Sequence, residues 1–526
     1  QDAEIGNQCV LSNVRFLSNY VILSNAILFD IGRIIASKSC SFGNGIVLTI
    51  GMKTSEREMY SCADLSMNIA EDIVLNMKNK ELLESFRQFI LSYVSLCSLS
   101  FGVVESNSIV SSTQKIIDTY FGSNCIIDNA TLVKNCTILS SRDEPAKISD
   151  GAYLKDSCIQ WGCEVTSMAM VTSSILTEHS NVSKNAKVSD SIIGPNTSIS
   201  KGEVTSSFVG PFISLDHQAL LVSALWPEGK GSVGYGANVG SGDTTIDQEM
   251  ICGEGVLFGP GTNIKYPADL SKAPYTIIAT GLTTLPQRME FPFSLINAAQ
   301  EIPLPPFINE LIPGWVISNS IYFLMQNEVK YQSRNLARRN QFVFKVFRKE
   351  IIEKVVRAQT ILENVKVKKD IYLIEDIPSI GKNYLTEQNR KEGIKAYQFA
   401  VMYYSLTGLF YQLQILINNG SIKKIDTLYQ AVSDNPEWEY QRNLLESRGL
   451  ISFSFKENLE KLVEVQKTIA QKTQHAKEKH EKHSKQIQKE YYSFHPATSE
   501  DPVIIEIWDK TRQIEADVTT LIKKIK

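Results

Sequence analysis

Leu-Ser-Asn occurs three times between residues 11 and 25, each copy six residues after the last. Ile5, Leu11, Leu17, Leu23, Phe29 and Ile35 repeat the same step. Six is neither the 3.6-residue helix period nor the two-residue strand period. The step returns at Ile127, Val133 and Leu139, Ile148 and Leu154, Val165 and Val171, Val182 and Val188, Ile193 and Ile199, and Val233 and Val239. Ser, Asn, Asp and Gly fill the gaps. One aliphatic residue inward, a small residue and a short polar turn make the unit of a parallel β-helix with triangular coils. An antiparallel sandwich would show two-residue alternation and uneven turn spacing instead. The aliphatic residues at these positions are therefore expected to be buried.

Two stretches leave the pattern. Residues 59–101 lose their glycines, and Leu65, Ile69, Ile73 and Met77 recur every four residues. This reads as a helical insertion on the outside of the solenoid, with Asp64 as its cap, between β-helix parts at 1–58 and 102–290. Residues 291–526 begin with a proline-rich linker and continue as amphipathic stretches at 316–365, 389–418 and 455–491, a helical region expected to cover the solenoid. The fold class is mainly β, then α. Within 457–492, Leu459, Leu462, Val465, Ile469 and Ile487 form a thin stripe on a highly charged helix. A helix lying on the body explains it more simply than a coiled coil, and His475, His480 and His483 there read as unligated.

Composition excludes little. Net charge is −3, so the whole chain carries no electrostatic footprint for nucleic acid. No membrane span is expected, since polar residues interrupt the most apolar stretch, 400–417. Nine scattered cysteines without a CxxC suggest reduced thiols and a cytoplasmic protein, and no zinc or other metal site. The chain opens inside the repeat, so its natural N-terminus, with any targeting segment, lies outside this expectation.

The densest chemistry lies at 207–297: Asp216-His217-Gln218, then WPEGKG (226–231), GYGANVG (234–240), DQE (247–249), GPGTNIKYP (259–267) and ATGLTTLPQ (279–287). This signature resembles a poorly characterised family of left-handed β-helix, hexapeptide-repeat proteins related to UDP-N-acetylglucosamine pyrophosphorylases and acyltransferases. The resemblance covers residues 1–290, and FGNG at 42–45 belongs to it. It implies a left-handed solenoid that self-associates or joins a larger complex. It also implies a transferase whose substrate is an acyl-CoA or a nucleotide sugar. His217 would be the general base, as neutral imidazole can take a hydroxyl or amine proton near pH 7. Asp243 or Glu249 would orient it, Lys230 and Lys265 would bind an anionic donor, and Tyr235, Asn238 and Gln248 would line the site. The chain departs from the family pattern at three places. It has Asp216-His217-Gln218 for His-His-Gln, Ser241-Gly242-Asp243-Thr244 for Ser-Asn-His-Thr, and Glu56-Arg57-Glu58 for Gly-Arg-Glu. No G-x-G-T-R nucleotidyltransferase opening is present. With two histidines replaced, the alternative is a catalytically inactive structural or interaction subunit of a larger assembly. The glycines at 229–242 could admit a phosphate, but β-helix corners need them in any case.

Overall fold

The computed structural model describes residues 2–51, 58–241, 249–299, 304–421, 425, 427–430, 433–488, 494–495 and 497–525. Two compact units emerge: 1–289 with 298–309 and 334–342, and 290–297 with 310–333 and 343–526.

The first unit is a parallel β-solenoid. Each rung has three short strands, as in Asn181–Ser183, Lys187–Ser189 and Ile192–Ile193. Val165, Val182 and Ile199 stack in parallel register, so one rung spans 17 residues rather than 18. The steps along the inner face are six, five and six, as from Val182 to Val188, Ile193 and Ile199. The short step is the corner between second and third strands. There a single left-handed residue, such as Asp156, Ser173, Asp190 or Ser206, turns the chain. The preceding corner uses two, Lys184 and Asn185 in the same rung. A strict six-residue frame therefore slips outward. Ile22, Leu28 and Ile34 are fully buried, whereas Leu23 and Phe29, expected inside, are 39% and 51% exposed. From Ile127 onward the expected positions are buried, except half-buried Leu139.

A hydroxyl column lines the short corner. Ser174, Ser191 and Ser207 each donate through Oγ to the carbonyl two residues back, at 2.6–2.8 Å. Each also accepts the N–H one rung on: Ser174 from Ser191, Ser191 from Ser207, and Ser207 from Ala224. Cys136 stands in the same register one rung before Ser157 and donates to the Lys134 carbonyl. A residue buried here must satisfy backbone groups that the turn leaves unpaired.

The solenoid opens after Ile35 and resumes at Gly102–Val104, which pairs with Tyr20–Ile22 without breaking the stack. The excursion starts before residue 59, because Val47–Thr49 and Glu58–Tyr60 form an antiparallel hairpin. Helices α1 (Met67–Leu75) and α2 (Lys80–Cys97) follow. The α1 cap is Ser66, whose side chain accepts from the Ile69 N–H; Asp64 instead accepts from the Tyr93 hydroxyl. Leu65, Ile73, Phe86 and Ile90 pack on an outward row of the third strands: Cys158, Ile175, Ile192, Phe208 and Leu225. That row is in register from rung to rung. The insertion thus covers one outer face with an apolar sheet-on-helix layer.

The second unit is mainly helical. Among the described residues its α-helices are α3 (Trp315–Asn319), α4 (Ile321–Arg334), α5 (Lys349–Glu363), α6 (Glu387–Asn418), α7 (Pro436–Ser447), α8 (Phe455–Ile487) and α9 (Pro502–Ile525). Among the described residues α6 alone is long and apolar enough to cross a membrane, and 67% of that window is buried. It is the central helix of the unit. Gly408 lets α7 approach closely, since a Cβ there would lie 2.1 Å from Gln441 Oε1. Leu459, Leu462, Val465 and Ile469 of α8 are buried while Ile487 is 72% exposed. Lys467–Glu515, Gln466–Thr511 and Gln474–Trp508 contacts run antiparallel between α8 and α9, so the stripe packs within this unit.

Candidate functional site

His217 lies at the corner between first and second strands, in left-handed conformation like its neighbour Gln218. Its N–H donates to Ser200 O at 2.9 Å, and its carbonyl accepts from Gly236 N one rung on at 3.0 Å. Tyr235 sits on that next rung, 62% exposed, and its carbonyl accepts from Gly261 N at 2.9 Å. His217 and Tyr235 thus follow one another up a single corner, both facing solvent. Asn238 begins the adjoining strand and is in register with Asn263. Among the described residues the Oδ1 atoms of both asparagines are buried without a hydrogen-bond partner, an arrangement that costs free energy unless something compensates it. Lys265 is exposed two residues after Asn263 on the same strand face. Four expected site residues, His217, Tyr235, Asn238 and Lys265, therefore share one corner and the face beside it.

The others lie elsewhere. Lys230 is buried at the corner between third and first strands, and its Nζ donates to Glu254 Oε1 at 2.8 Å. The Tyr275 hydroxyl donates to the same oxygen at 2.7 Å. Lys230 is thus engaged inside the wall rather than offered to a donor in solution. Glu249 lies beside Gly51 and Leu225, at the corner between second and third strands. Asp243 and Gln248 fall outside the described residues. No hydrogen bond joins the His217 ring to a carboxylate among the described residues, so the orienting group in the base reading is not identified there.

Much of the signature serves folding. Trp226 points into the solenoid, donates through Nε1 to Gly253 O at 2.9 Å and meets Phe258 edge-on. Gly231 has no room for a side chain: a Cβ would stand 2.2 Å from the Trp226 ring. Gly236 is open to solvent, and its left-handed φ of +64° favours glycine without requiring it, since Gln218 takes the same conformation one rung before.

The most densely bonded polar cluster gave no signal in the sequence. Glu178 is fully buried and accepts from the Arg338 and Arg339 N–H groups, Arg339 Nη1 and Asn340 Nδ2. Glu144, 3% exposed, accepts from Arg339 Nη2 at 3.0 Å and bonds His179 Nε2 at 3.0 Å. The Arg339 guanidinium lies 3.7 Å from the Trp161 ring centroid. Burial pushes the Glu144 carboxyl up, but Arg339 and His179 outweigh it and hold it below the usual carboxylate range. His179 is a corner residue in left-handed conformation, paired with Glu144 rather than merely solvated. Every acid here has its donors, so the cluster clasps residues 335–342 onto the solenoid. No group of three or more His, Cys, Asp or Glu able to hold a metal occurs among the described residues.

An uncharacterized protein of Treponema pallidum (strain Nichols) is 24% identical over 382 residues, 69% of this chain and 51% of that protein. The bifunctional protein GlmU of Ruthia magnifica subsp. Calyptogena magnifica is 28% identical over 160 residues, 28% of this chain and 31% of that protein. The chain thus spans about half the length of the first relative and under a third of the second. A family model described as a domain of unknown function, DUF4954, matches residues 1–366, well over half of the chain, and the chain belongs to that family.

Proposed function

We propose that this protein is a transferase-like, left-handed hexapeptide-type solenoid that binds an acyl-CoA or a nucleotide sugar at the His217 corner. One observation carries the reading: exposed His217 and Tyr235 stack on one corner, and Asn238, Asn263 and Lys265 flank them on the adjoining face. Tyr235 offers a face for a base or pantetheine arm, and Lys265 a charge for a phosphate. His217 is the base: its neutral imidazole takes the proton of an acceptor hydroxyl or amine as that atom attacks the donor carbonyl. The thioester C–S bond then breaks and the proton passes to the leaving thiolate. Lys230 holds the neighbouring corner and takes no part. The likeness to a protein named GlmU supports a transferase-like origin.

Calorimetric titration of UDP-N-acetylhexosamines and acyl-CoAs against the full chain tests this. Binding of one class, weakened about tenfold or more by Tyr235→Ala, is the expected result. In a turnover assay with that donor, His217→Ala should lose roughly 10²–10⁴-fold. No binding of either class by the wild-type chain ends this reading.

A second reading, a structural subunit that assembles through the solenoid, rests on a separate observation. Val10, Ile27, Ile109 and Ile126 stand in register on the outward face of successive first strands, each 36–53% exposed. The chain covers a comparable row on its third strands with its own helices. An uncovered aliphatic row suits a second copy of this chain. Light scattering should then report an oligomer that Ile27→Lys with Ile109→Lys dissociates; a wild-type monomer rejects it.

A further inference from the structure

The C-terminal end of α8 leaves the body of its unit. From Glu478 to Gln488 only Glu481 is buried, held by the Thr498 N–H and hydroxyl. His475–Gln488 contains four lysines and three histidines against two glutamates, in a chain whose net charge is −3. Lys477 is occupied by Asp501 at 3.1 Å, and Glu478 accepts from Gln474. His475, Lys479, His480, Lys482, His483 and Lys485 are exposed around the remainder. Cations in a last turn complement the helix dipole, which accounts for Lys485 but not for those one and two turns earlier. A second feature coincides with this charge. Ile487, the last helical residue, is 72% exposed, and Phe494, seven residues on, is 79% exposed. A soluble polyanion would use the lysines and leave these two in water. A membrane surface uses both, taking cations at its headgroups and apolar side chains at the acyl boundary.

We infer that the end of α8, with Ile487 and Phe494, docks peripherally on an anionic phospholipid surface. The membrane is contacted and not crossed. Each lysine near such a surface strengthens binding roughly five-fold, and the attraction weakens with salt. Co-sedimentation of the full chain with phosphatidylcholine vesicles, with and without phosphatidylglycerol, tests this. The expected result is binding to the anionic vesicles only, weakened more than tenfold by Lys479→Glu with Lys482→Glu. Ile487→Ser with Phe494→Ser should weaken it several-fold, with circular dichroism unchanged in both variants. No binding to anionic vesicles overturns the inference. So does binding that the charge reversals leave intact. Lysine-dependent capture by inorganic polyphosphate, with vesicle binding indifferent to the apolar pair, assigns the surface to a soluble polyanion and equally overturns it.

Discussion

Arg339 Nη1 donates to Glu178 Oε1 at 2.7 Å across 161 residues of sequence, while the same guanidinium stacks on Trp161. The acid is fully buried and the base 39% exposed, so the desolvation cost falls mainly on Glu178, which the Arg338 and Arg339 N–H groups and Asn340 help offset. Arg339→Ala should cost about 2 kcal/mol locally, below the roughly 3–5 kcal/mol of a fully buried pair. Hydrogen exchange at 335–342 should speed up by more than tenfold; unchanged protection would show that the backbone donors suffice. The folded Glu144 carboxyl is lowered, so its contribution is present above the unfolded value and is lost as pH falls through the folded one. The clasp should therefore loosen only in acid.

Glu71 on α1 gives the opposite slope. Burial first, then Glu228, Asp72 and Glu254, push its carboxyl up to about 7. The folded state then holds a proton that the unfolded chain releases near pH 4.5, so stability falls as pH rises from about 4.5 to 7. Glu71→Gln should match wild type at pH 5 and exceed it at pH 8. Urea titrations at the two pH values check this, and equal gains at both would refute it.

In the helical unit, the Arg390 hydrogen bonds hold Glu387 down at about 2, against burial and with help from Tyr372. Its contribution is complete above about 4.5 and disappears as pH falls toward 2. Glu387→Gln should flatten the acid limb of that unit's unfolding curve. An unaltered limb would assign acid sensitivity elsewhere.

The five-residue step separates two adjacent aliphatic residues. Ile22→Ala should cost about 2–5 kcal/mol, as fully buried core truncations do. Leu23→Ala should cost under about 1 kcal/mol, because Leu23 is 39% exposed. A strict six-residue frame demands the reverse order, and denaturant midpoints of the two variants decide.

The solenoid was legible because its period is written in residue type at every rung. The frame slip was not, since a five-residue corner differs from a six-residue one only by which polar residue turns left-handed. Asp190 and Asn185 look alike in sequence, yet one turns its corner alone and the other with Lys184. The His217–Tyr235 corner was reachable from the signature, while Lys230 was misleading. A lysine among glycines suggests an anion site, but Glu254, 24 residues on, neutralises it inside the wall. The Glu144–Glu178–Arg339 clasp had no local pattern at all, because its partners meet only through the fold.

The hydroxyl column gives the sharpest test of how the short corner is held. Ser191 Oγ donates to Ser189 O at 2.6 Å and accepts the Ser207 N–H at 3.1 Å, and both serines are fully buried. Ser191→Ala removes one acceptor and one donor together, leaving the Ser207 N–H and the Ser189 carbonyl without that oxygen. A buried group left unsatisfied costs about 1–3 kcal/mol, and the bond from the Ser207 N–H is buried while that to the Ser189 carbonyl is partly so. Cys136 shows what else the column accepts: its Sγ donates to the Lys134 carbonyl at 3.1 Å in equivalent register. Ser191→Cys should therefore retain more stability than Ser191→Ala, despite its larger sulfur atom. If alanine and cysteine give the same midpoint, the column is a packing feature and the corner is held by its left-handed residue alone.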